Sequence, residues 1–116
     1  MAMELPLETR LEKLDTLLER LGEHAREMEL EPQRWREVAA AAAKAFSAVC
    51  LDRSCRGPAV FSLERSRGEL HLSMRFGLES GARPVGLDQP LFCPPALRVT
   101  LRREQDRAVW GLFWED

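Results

Sequence analysis

Three cysteines and one histidine are the residues of this chain best suited to hold a metal. Cys50, Cys55, Cys93 and His71 could in principle make a three-Cys, one-His zinc site. Four residues separate Cys50 from Cys55, the loose limit of usual ligand spacing, and no second close pair follows. Cys50 also falls on the apolar stripe of a helix. The expectation is no metal and no cofactor. An odd cysteine count suits reduced thiols in the cytoplasm better than a disulfide framework.

Glu69, His71 and Ser73 form the other constellation with chemical promise, since all three share one face of a strand. Residues two apart on a strand are separated by about 7 Å, beyond hydrogen-bond reach. No G-x-S-x-G elbow surrounds Ser73. Gly77, Gly81 and Gly86 are isolated turn glycines without a following helix, so no phosphate-binding loop is read. His71 is expected to be an exposed strand histidine, and His24 to face solvent. The chain is read as a non-enzyme.

Arginine remains. The chain has 15 Arg against 2 Lys, the codon bias of a GC-rich genome, and a net charge of −2. Residues 1–52 carry 7 basic and 11 acidic side chains, residues 53–116 carry 10 basic and 8 acidic, so the second half is the positive one. Arg75, Arg98 and Arg102, with an aromatic at Phe113, are ingredients of single-stranded nucleic-acid binding on a sheet face. A near-neutral domain with interspersed carboxylates argues against that as the main reading. Protein contact uses the same ingredients, because interface cores favour aromatics and Arg over Lys.

The elements that must place these residues are legible from periodicity. A stretch of 116 residues with 45% apolar and 31% charged residues is read as a single domain, residues 1–116, with a helical part over 6–52 and a sheet part over 58–115. Leu7, Leu11, Leu14, Leu18, Leu21, Ala25 and Met28 step by four and three, a heptad seam that predicts a helix from Pro6 to Glu29. Pro32 opens a second helix whose stripe is Trp35, Val38, Ala39, Ala42, Phe46, Val49 and Cys50. It stops before Pro58.

From there the period becomes two. "AVFSLERS" and "GELHLSMRFGL" read as a hairpin through Ser66-Arg67-Gly68, and "ALRVTLR" and "RAVWGLFW" as a second, turning at residues 103–106. The fold class expected is α+β, with two N-terminal helices packed on a mainly antiparallel four-stranded sheet. Leu70, Leu72, Met74, Phe76, Leu97, Val99 and Leu101 would face the helices; His71, Arg75, Arg98, Thr100 and Arg102 would face away. A long Gly/Pro loop over residues 79–96 joins the hairpins, and loops of that length often bind or cover something.

The last strand departs from the pattern. Ala108, Trp110, Leu112 and Trp114 occupy one face, yet Val109 and Phe113 make the other apolar as well. A strand apolar on both faces needs a cover on both. Either the 79–96 loop or another chain supplies it. The contact residues expected are Leu91, Phe92, Arg98, Arg102, Val109, Trp110, Phe113 and Trp114. They describe a cytoplasmic protein-interaction module, a homodimer that also occludes a partner protein as a regulator, anti-activator, dedicated chaperone or immunity-type binder. Single-stranded nucleic acid is the alternative partner. No apolar run is long enough to span a membrane.

Overall fold

The computed structural model describes residues 3–82 and 98–115. Its elements are strand β1 (Leu5–Leu7), a 3-10 turn (Leu11–Lys13), helices α1 (Leu14–Glu27) and α2 (Pro32–Leu51), and strands β2 (Cys55–Ser66), β3 (Glu69–Leu78), β4 (Arg98–Glu104) and β5 (Arg107–Glu115). The fold is α+β, two helices on an antiparallel sheet. The sheet has five strands rather than four, in the order β1-β2-β3-β5-β4.

The extra strand corrects the reading of the N-terminus. Leu5 and Leu7 are buried on either side of an exposed Pro6, and the three residues pair with Phe61, Val60 and Ala59. Proline lacks an N–H, so it suits an edge strand as well as a first helical turn. Three residues are too few for periodicity to separate the two. Helix α1 therefore begins at Leu14, and Leu11 is exposed. Its buried stripe is Leu17, Leu21 and Ala25, so Leu17 takes the place the heptad seam assigns to Leu18.

The helix stops in a Schellman turn. Glu29 has φ 57°, its N–H bonds the Arg26 carbonyl, and the Leu30 N–H bonds the Ala25 carbonyl, both at 3.0 Å. Pro32 then starts α2 with a φ already suited to a helix. The alanine run of α2 buries Ala41, Ala42 and Ala45 beside Val38, Phe46 and Val49. Phe46 meets Phe61 of β2 edge to face, with centroids 6.0 Å apart.

Opposite the helices lie the inward positions of the sheet: Ala59, Phe61 and Leu63 from β2; Leu70, Leu72, Met74, Phe76 and Leu78 from β3; Ala108, Trp110, Leu112 and Trp114 from β5. Fully burying a Leu or Phe is worth about 1.5–3 kcal/mol, so this two-layer contact carries most of the fold. Both hairpins form, the second with a tighter turn than the expected 103–106: Arg103 and Glu104 still pair, and the chain reverses at Gln105-Asp106. Arg67 and Gly68 both have positive φ in a two-residue turn, the type I′ geometry that matches strand twist. Val99 and Leu101 of β4 pack against the core from its margin. Leu97, expected beside them, lies outside the described residues.

Candidate interaction face

The face of the sheet turned away from the helices is ordered by register. Among the rows that cross β2, β3, β5 and β4 are three in sequence: Val60–Arg75–Val109–Arg102, Ser62–Ser73–Gly111–Thr100, and Glu64–His71–Phe113–Arg98. Directly opposed residues on one face are close enough to touch. The third row does so throughout.

Phe113 is flanked on both sides. His71 stacks on its ring with centroids 4.1 Å apart and planes 6° from parallel. The Arg98 guanidinium carbon sits 3.9 Å from the centroid of the same ring. Because β5 runs between β3 and β4, the two contacts fall on opposite faces of Phe113. Glu69 fixes Arg98 from below with oxygens 3.1 and 3.5 Å from its two terminal nitrogens. Glu64 approaches His71 Nδ1 at 3.7 Å. Burial pulls the His71 pKa below its ordinary value, and Glu64 opposes that pull. His71 is thus a half-buried member of a stack, not a free strand histidine. Glu64, its real carboxylate neighbour, comes from the adjacent strand and was invisible to spacing along one strand.

The second face of the last strand lies within this surface, between β3 and β4. Among the described residues its cover is the sheet's own side chains. His71 and Arg98 enclose Phe113, Arg75 and Arg102 flank Val109, and Gly111 is buried because His71 and Thr100 close over it. Arginine stems shelter apolar surface while their heads stay wet.

Of the expected contact residues, Arg98, Arg102, Val109 and Phe113 share this outer face. Trp110 and Trp114 do not: they are 0% and 2% exposed, at the inward positions of β5, so they belong to the core. Leu91 and Phe92 lie outside the described residues, as does Cys93. His24 also differs from expectation. Its Nε2 lies 2.9 Å from the Leu63 carbonyl oxygen, at the margin of β2 beyond the reach of β1. Cys50 and Cys55 are unbridged thiols. Burial, then the Asp52 carboxylate, pushes Cys55 up to about 12, which leaves almost no thiolate at neutral pH.

A cleft of about 680 Å³ opens at one end of this face. Between the pairs Arg56↔Gly77 and Val60↔Arg75, β2 carries residues 57–59 against Phe76 alone. The surplus bows β2 away from β3. Beneath the bow the strands meet tightly, for a Cβ on Gly77 would lie 2.4 Å from the Arg56 carbonyl oxygen.

No protein-family model matches this sequence, and no curated protein is found to be similar to it. Among the described residues no helix is long and apolar enough to cross a membrane.

Proposed function

We propose that this chain is a protein-interaction module of the cytoplasm, a homodimer that lays the outer face of its sheet on a partner protein and occludes it. The observation that carries the reading is the enclosure of Phe113 between His71 and Arg98. It yields an arginine already fixed by a carboxylate and an aromatic ring, so little side-chain entropy is left to lose on contact. Rigid arginines and aromatics are the residues that dominate protein interfaces. Both lysines, Lys13 and Lys44, lie in the helical half, away from this face. The odd cysteine count favours a reducing compartment.

The same enclosure counts against single-stranded nucleic acid. Base stacking needs an open aromatic face, and both faces of Phe113 are taken. Arg75, Arg98 and Arg102 are each paired with a carboxylate, Glu4, Glu69 and Glu104, at 3.0–3.2 Å. A polyanion would have to displace all three.

The test is the double variant Val109→Ser, Phe113→Ser. It should leave the far-ultraviolet circular dichroism unchanged and convert the dimer to monomer in sedimentation velocity. Undiminished association in that variant overturns the reading.

A further inference from the structure

The two edges of the sheet are unequal. At one end β1 contributes three residues with Pro6 at its middle, and the His24 imidazole meets the Leu63 carbonyl beyond it. At the other end β4 runs for seven residues, Arg98–Glu104, without a proline or a register shift. Among the described residues β4 pairs with β5 alone. A regular edge of that length is a template for another strand. Val99 and Leu101 lie opposite the buried Leu112 and Trp110 of β5, yet are themselves only half-buried, at the margin of the core. A further strand beside β4 would complete their cover.

The charges of β4 select which strand. Its outer face carries, in order, Arg98, Thr100, Arg102 and Glu104. Laid antiparallel on itself about Leu101, the strand sets Arg98 opposite the copy's Glu104 and Thr100 opposite the copy's Arg102. On the helix side Leu101 meets its own copy, and Val99 meets the stem of Arg103. All seven residues then pair. Within each chain Arg98 is held by Glu69 at 3.1 Å and Glu104 by Arg102 at 3.0 Å. Across the junction these pairs join into one alternating series, Glu69–Arg98 from one chain and Glu104–Arg102 from the other. Moving the centre by one residue destroys the series. About Thr100 each Arg98 faces an Arg102, and about Arg102 that residue faces itself. Directly opposed like charges destabilise a sheet. The Arg103 head is engaged within its own chain, where it donates to the Ala82, Glu79 and Gln105 carbonyls. Exposed ion pairs add little affinity, so the charges set the register, while the backbone ladder and the covered Val99 and Leu101 hold the copies together.

We propose that β4 is the dimer edge: two copies of this chain join strand to strand, antiparallel about a twofold axis at Leu101, into one sheet. This rests on the homodimer reading and names its surface. Such a contact is isologous, each residue meeting the same surface on the copy. The axis is normal to the sheet, so both helix pairs lie on one side and both outer faces on the other. Arg98, already stacked on Phe113, then links the outer face to the junction.

Sedimentation velocity of Glu104→Arg and of Arg98→Glu, each alone and then mixed, tests the register, with circular dichroism as the check on folding. Each variant alone opposes like charges twice, and its dimer should dissociate at least tenfold more readily than the native one. In an equimolar mixture both junctions become complementary, and the heterodimer should recover most of the native affinity. Leu101→Cys should cross-link to its copy on mild oxidation, beyond any cross-linking of the native cysteines, because directly opposed Cα atoms lie within disulfide reach. Val99→Cys should not. Native affinity in Glu104→Arg, no recovery in the mixture, or equal cross-linking from Val99→Cys each overturn the proposal. A dimer lost in Val109→Ser, Phe113→Ser but intact in Glu104→Arg overturns the β4 edge and leaves the outer face standing as the dimer surface. A native chain that sediments as a monomer overturns both, and leaves β4 to a strand of another protein.

Discussion

Phe113 and His71 lie face to face, their ring centroids 4.1 Å apart and their planes within 6° of parallel. The pairing withdraws the imidazole from water, and burial is the larger cause of its lowered pKa; Arg98 adds to it, while Glu64 and Glu69 act in the opposite sense. Folded His71 therefore takes up its proton at lower pH than it does in the unfolded chain. Between those two pKa values the unfolded state binds more protons, so stability rises with pH. The contribution is complete above the ordinary value of 6.5 and is lost as pH falls below it. Thermal melts from pH 7.5 to 5.0 should show a steeper fall in Tm for the native chain than for His71→Gln. Parallel falls would show that the stack does not couple to protonation.

Gly111 is the hinge of the same arrangement. A Cβ there would stand 2.9 Å from both His71 Nε2 and Thr100 Oγ1. Gly111→Ala should push His71 off Phe113 and cost about 1–3 kcal/mol, the usual range for overpacking. The ring-current shifts of His71 should vanish in proton NMR. Adding His71→Ala should recover part of the loss, giving a double variant less destabilised than the sum of the singles.

Loss of the His24 imidazole should be felt at β2. Its bond to the Leu63 carbonyl is part-buried, and removing a partner leaves that oxygen unsatisfied, at about 1–2 kcal/mol. His24→Ala should lower the denaturant midpoint accordingly, and hydrogen exchange should rise first at β2 residues 62–66. Exchange rising uniformly over the chain would assign His24 no local role.

Trp114 buries its indole Nε1 with no hydrogen-bond partner among the described residues. Trp114→Phe removes that polar atom and keeps the aromatic volume, so it should change stability by less than about 1 kcal/mol. Trp114→Ala, which leaves a cavity, should cost about 3–5 kcal/mol. Chemical denaturation of the two variants separates these outcomes.

The parts of this molecule that could be read from the chain are those set by local period. Leu70 to Leu78 alternates without fault and forms β3 over that span, and Arg67-Gly68 announces its turn. Leu5-Pro6-Leu7 could not be read, because two leucines around a proline satisfy a short edge strand and the start of a heptad equally well. Leu17 and Leu18 are both leucine, and only the arrangement of α1 over the sheet decides which is buried. The candidate site needed more still. Glu64 beside His71, and Arg56 opposite Gly77, depend on interstrand register and on a bulge, neither of which leaves a periodic trace. Phe113 could be placed on the outer face from its parity alone, but not the two neighbours that enclose it.

The short β1 strand and the His24 imidazole together cover part of the outer edge of β2, at residues 59–61 and at the Leu63 carbonyl. A sheet covered at one end lengthens more readily from the other. Were strands of neighbouring copies to join at β4, two molecules would share one sheet. Pairing of that kind would leave the short, proline-bearing β1 at each outer end, a poor template for further edge addition.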